Sequence, residues 1–92
     1  MKEIQDMSKQ TGTITQVVGV VVDVEFAGGG LPAIYDALTI ERRDKEAVVF
    51  EVAQHLDQRT VRAIAMSSTD GLKRGDIAVA TGAPINVPVG EQ

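Results

Sequence analysis

Ninety-two residues are enough for one small domain and too few for a two-domain enzyme. Having no cysteine and a single histidine, the chain excludes disulfides, thiolate metal sites, a cysteine nucleophile and a multi-histidine zinc site. A net charge of −4 argues against a nucleic-acid binder, which needs a basic face.

Thirteen Val, seven Ile and seven Thr stand against four Leu and three aromatics. Branching at Cβ restricts χ1 in a helix and suits a pleated surface, so this composition predicts strands. Met1–Gln10 is polar and aperiodic and is expected to be a flexible N-terminal tail. It does not resemble a signal peptide, and no apolar run approaches the ~20 residues of a membrane span. The expected compartment is therefore the cytoplasm, without direct membrane insertion.

From Thr11 to Phe26 the even positions Ile14, Val18, Val20, Val22, Val24 and Phe26 are apolar, with Gln16 among them. Period-two alternation predicts one buried face. Gly19 interrupts it, leaving open one bent strand or two strands. Ala27–Gly30 with Leu31-Pro32 reads as a loop. Ala37–Glu41 predicts a strand with Leu38 and Ile40 inward, and Arg42–Glu46 a charged hairpin tip. Ala47–Leu56 places Val48, Phe50, Val52 and Leu56 on one face. After the Asp57-Gln58-Arg59 turn, Thr60–Met66 is expected to return antiparallel. Ser67–Gly75 is a polar loop, and Ile77–Thr81 and Ile85–Val89 are expected as two strands split by Gly82-Ala83-Pro84. Almost no helix is expected. The predicted class is all-β, a small closed six-stranded antiparallel barrel, because closure removes edges that a chain of this size cannot otherwise protect.

Candidate chemistry is sparse. Gly28–Gly30 is followed by Leu31-Pro32-Ala33 instead of a lysine and a helix start, so it reads as a loop and not a phosphate cradle. Gly71–Gly75 is equally weak, since Asp76 follows Gly75. His55 falls on the outward parity with Glu51 and Ala53 and has no nucleophile assignable to it. The pairs Asp23/Glu25 and Asp44/Glu46 read as solvated surface carboxylates. An oligonucleotide-binding barrel would need stacking aromatics, yet Phe26 and Phe50 are core positions. No catalytic, cofactor-binding or metal-ligating residue is assigned, and the chain is expected to bind or to build.

Glu51-Val52-Ala53-Gln54-His55-Leu56, followed by Thr60–Met66, closely resembles the N-terminal domain of the β (catalytic) subunit of F-type ATP synthase. The likeness continues through Ser68–Leu72, Arg74-Gly75, Thr81–Ile85 and Val87–Gly90. Upstream it includes Gly12, Ile14, Gln16-Val17, Gly19, Val21–Val24 and Leu31–Leu38. It spans about residues 11–90 and departs at Arg42–Glu46, Asp57–Arg59 and Ser67.

The resemblance implies a six-stranded barrel over residues 11–90, alternating with α-subunit barrels in a ring at the end of the catalytic head. The family's nucleotide-binding domain, with its Mg-ATP or Mg-ADP, would follow residue 92. None of the family's catalytic residues transfers to a position here, so the 92-residue chain is expected to have no enzymatic activity and no cofactor. It would be a soluble assembly domain, monomeric or weakly self-associating, of a peripheral complex on the cytoplasmic side of the cell membrane. That complex makes or hydrolyses ATP coupled to ion flow. Two alternatives are a free-standing barrel adaptor for a protein or small molecule and the barrel of an export or vacuolar-type ATPase. The Glu51–Met66 match disfavours the latter. The valines opposite the core, Val17, Val21 and Val49, together with Ala53, are expected to form patches flanking the barrel.

Overall fold

A computed structural model describes residues 10–28, 30–42 and 45–85. It contains β1 (Gln10–Val18), β2 (Val21–Glu25), β3 (Asp36–Arg42), β4 (Lys45–His55), β5 (Thr60–Ala65) and β6 (Ile77–Pro84). The described residues include no helix. The six strands close into an antiparallel barrel in the order β1-β2-β5-β4-β3-β6. β6 completes the circle by pairing with β1 through Thr11↔Val79 and with β3 through Thr39↔Val79.

Inside lie Ile14, Val22, Val24, Phe26, Leu38, Ile40, Val48, Phe50, Val52 and Val61, with Ala63, Ala65, Ala78 and Ala80 filling the narrower positions. Small residues on β5 and β6 pair beside large ones on β4 and β3, Ala65 with Phe50, Ala63 with Val52, Ala80 with Leu38 and Ala78 with Ile40, so bulk and gap alternate around the interior. The loop joining β2 to β3 crosses one end of the barrel and packs Leu31 against the core. The loop joining β5 to β6 does the same at the other end with Leu72.

Gly19 separates two strands, resolving that alternative, and its φ of 61° is why a residue without Cβ serves in the tight turn between Val18 and Val21. Gly12 is required for a different reason. A Cβ there would sit 2.7 Å from Val24 Cγ1 and 2.9 Å from the Glu25 carbonyl oxygen.

Several expectations are corrected. Alternation along β1 fails after Ile14, because the β1–β2 register shifts between Ile14 and Gln16. One inserted residue exchanges inside and outside. Gln16 and Val18 therefore face out, as Val20 does in the turn, while Val17 packs against the core. A second shift, between Val52 and Gln54, leaves Leu56 37% exposed where it was expected inward. β6 runs unbroken through Gly82 and Ala83 to Pro84, which pairs with Asp36. Proline is tolerated there because it is the strand's last residue and has no further ladder bond to donate. Ile85 lies outside any strand, and the rest of the expected Ile85–Val89 strand is outside the described residues. Gln10 already belongs to β1, while the rest of the expected tail and residues 43–44 of the hairpin tip also lie outside them.

The fold makes a sharp parity prediction. Val52 is fully buried while its neighbour Glu51 is half-buried on the outer surface. Val52→Asp is expected to unfold the domain, since a buried unpaired carboxylate costs several kcal/mol, comparable with a small domain's whole stability. Glu51→Ala should move the urea midpoint little, and equal losses for the two would contradict the assignment.

Candidate functional site

The outer wall carries two unlike flanks on opposite sides of the barrel. On the first, strand pairing lines up Gln16, Asp23, Arg62 and Gln54 across β1, β2, β5 and β4. The next row is Val18, Val21 and Ile64, followed by Glu51 on β4. Gln16, Val18, Val21, Asp23 and Arg62 line a shallow cleft of about 280 Å³. Val18 is 59% exposed and Ile64 41%, with Val20 and Met66 exposed beside the same barrel end.

Asp23 corrects the solvated-carboxylate expectation, being 8% exposed. Its carboxylate accepts from Arg62 Nε at 2.9 Å and Arg62 Nη2 at 3.2 Å, a bidentate bridge between directly paired residues. Hydrogen bonding to Asp23, reinforced by its negative charge, holds the Arg62 guanidinium above its ordinary pKa. Glu25 is exposed as expected. Of the second pair, Asp44 lies outside the described residues, while the exposed Glu46 lends its backbone carbonyl to Arg42 Nε at 3.0 Å.

The second flank spans β1, β6, β3 and β4, where Thr11, Val79, Thr39 and Val49 form an uncharged row. The four residues expected to flank the barrel are thus divided. Val21 lies on the first flank and Val49 on the second, Val17 packs against the core, and Ala53 is exposed at the β4 register shift. Sequence reasoning missed Val18, Ile64 and Arg62 as surface-patch residues. Ile64 could have been found by parity, since Ala63 and Ala65 alternate with it.

The remaining candidates are accounted for locally. The β4 register shift sets His55 opposite buried Val61, at one mouth of the barrel. Its Nε2 lies 2.7 Å from the Pro32 carbonyl oxygen. A carbonyl can only accept, so Nε2 is the protonated nitrogen, and the ring fixes the Leu31-Pro32 cover. Gly75 donates its amide to the Ile14 carbonyl at 2.8 Å, so that amide is not available to an anion. Of the Gly28–Gly30 glycines, Gly29 lies outside the described residues, and Gly30 accepts at its carbonyl from Gln10 Nε2 at 2.8 Å. Asp57 closes its turn by accepting from the Arg59 and Thr60 amides, and the Arg59 bond, ahead of other causes, lowers its pKa. Tyr35, at φ 79° and 66% exposed, is held by a 2.8 Å bond from its amide to the Val52 carbonyl. Among the described residues, no three His, Asp or Glu side chains gather as a metal site would require. No helix among them is long and apolar enough to cross a membrane.

The Asp23–Arg62 bridge makes the next prediction. Arg62→Ala strands a buried carboxylate and should lower the urea midpoint, and adding Asp23→Ala should restore part of the loss. Strictly additive losses in this double-mutant cycle would show that the pair is not coupled.

Residues 14–82 match the family model described as the ATP synthase alpha/beta family, beta-barrel domain.

Proposed function

The chain belongs to the ATP synthase alpha/beta family as its β-barrel domain, and we propose that it is the assembly domain of a β subunit. Membership implies a place in a hetero-oligomeric alpha/beta ring. The finer assignment to the β subunit is supported by Glu51–Leu56 and Thr60–Met66, whose sequences resemble that subunit.

The single observation that carries the assembly role is the division of the outer wall into two different uncharged or apolar rows on opposite sides of one barrel. A closed ring of head-to-tail contacts needs two unlike faces on each member. The described interior is packed with side chains, and the Gly75 amide considered for phosphate is spent on the Ile14 carbonyl. On this reading the barrel holds the ring together and performs no chemistry. Nucleotide, as Mg-ATP or Mg-ADP, belongs to the domain that follows in the parent subunit. The parent complex would lie peripherally on the cytoplasmic side of the membrane and couple ATP turnover to ion flow.

Two measurements test this separation of roles. Calorimetric titration of the chain with Mg-ATP should give no binding heat at micromolar nucleotide, and a micromolar site would contradict the proposal. A parent subunit lacking residues 10–84 should retain nucleotide binding yet fail to form hexamers with α subunits by light scattering. Normal hexamers would refute the assembly role.

A further inference from the structure

The loop joining β5 to β6 carries a reactive dipeptide, Asp70-Gly71, beside the Leu72 that covers one barrel end. We propose that it is a site of self-modification: the Gly71 amide nitrogen attacks the Asp70 side-chain carboxyl and converts Asp70 to isoaspartate. Arg42 sets the rate by clamping the turn. Nothing in this chemistry requires a ring or a partner chain.

The reaction needs an uncrowded amide next to a carboxyl that is not otherwise engaged. Of the seven aspartates only Asp70 precedes a glycine; the others precede Met7, Val24, Ala37, Lys45, Gln58 and Ile77, whose side chains shield the amide. Asp70 and Gly71 are both exposed. A Cβ built on Gly71 would meet no atom within 4 Å, so nothing crowds its nitrogen. Among the described residues, the Gly71 amide donates no hydrogen bond and the Asp70 carboxylate accepts none. Asp57 provides the contrast. It is exposed too, yet its carboxylate is engaged by the Arg59 and Thr60 amides, and Gln58 follows it.

The folded turn holds the two reacting groups apart. Leu72 donates its amide to the Thr69 carbonyl at 3.0 Å, and Gly71 has φ 87° while Asp70 does not adopt a positive φ. That combination is a type II turn, in which Asp70 is extended and Gly71 supplies the left-handed position. An extended Asp70 directs the next nitrogen away from its own carboxyl, so ring closure waits for the turn to open. Arg42 opposes that opening from outside the loop. Its Nη1 donates to the Asp70 carbonyl at 3.1 Å, and its Nε donates to the Glu46 carbonyl at 3.0 Å. The clamped carbonyl belongs to the peptide that must rotate.

Once the turn opens, the Gly71 nitrogen bonds to Asp70 Cγ. The carboxyl hydroxyl and the amide hydrogen leave together as water, giving a five-membered succinimide. Water then adds at the Asp70 main-chain carbonyl, and the bond from that carbon to the Gly71 nitrogen breaks. The chain now runs through Cβ and Cγ, and the former main-chain carbonyl is a free carboxylate. One water is lost and one regained, with no oxidation or reduction. The added backbone methylene lengthens the Thr69–Leu72 turn and loosens Leu72 from the barrel end it packs against.

The test uses the 92-residue chain, whose closed barrel encloses its own core. It is incubated for weeks in mildly acidic buffer, and isoaspartate is located by electron-transfer fragmentation of its peptides. Isoaspartate should accumulate at Asp70 faster than at any other aspartate. Asp70→Glu, which would have to close a six-membered ring, should abolish isomerisation at this position. Arg42→Ala should raise the rate about two- to fivefold, the worth of one partly exposed charged contact. In the aged chain, amide shifts should concentrate at Thr69–Leu72. No isoaspartate at Asp70, or equal amounts at the other aspartates, would overturn the site. An unchanged rate in Arg42→Ala, with amide dispersion showing the variant folded, would overturn the clamp.

Discussion

Everything in this barrel depends on β6 hydrogen-bonding on both sides. Through Thr11↔Val79 and Thr39↔Val79 it joins β1 to β3, strands that would otherwise be the two edges of an open sheet. An open sheet of this length would expose two rows of unpaired amides and carbonyls to any passing chain. Closure also encloses Phe26, Phe50 and the aliphatic side chains around them on every side, which a chain without disulfides needs to reach useful stability. The same closure explains Gly12. Where β1 curls towards β2, Val24 and Phe26 occupy the space a side chain would need.

A barrel filled in this way has little to offer chemistry on the inside, and its ends are covered by loops. Pro32 is pinned by His55 at one end, and at the other Thr69 donates to the Gly19 carbonyl at 2.8 Å. On the proposed reading, function falls to the outer wall. There the pleat alternates residues needed inside with residues free to meet a partner. The apolar row Val18, Val21 and Ile64 and the row Val79, Thr39 and Val49 are thus the outward half of the pattern whose inward half builds the core.

The sequence made strand content, closure and most of the core legible because Leu38–Ile40 in β3 and Val48–Val52 in β4 alternate without interruption. Leu38, Ile40, Val48, Phe50 and Val52 are all fully buried, as their spacing predicts. It failed where the register shifts, at Thr15 and Ala53, because a bulge has no obligatory residue type and each one reverses the parity beyond it. Hence Val17 and Val18 exchange roles, and Leu56 turns outward. The Asp23–Arg62 bridge was illegible for another reason. The partners are 39 residues apart in sequence, and only the β2–β5 pairing sets them opposite each other. The family, by contrast, was legible from Glu51–Met66 together with the flanking matches, and the family match to residues 14–82 agrees.

The central claim is that this barrel exists to hold a different barrel. Sedimentation velocity of the 92-residue chain, alone and mixed with the matching α-subunit barrel, tests it most directly. The account predicts a monomer or weak self-association alone, and a faster-sedimenting complex that appears only in the mixture. A tight homodimer indifferent to the α barrel would contradict it and favour a free-standing adaptor.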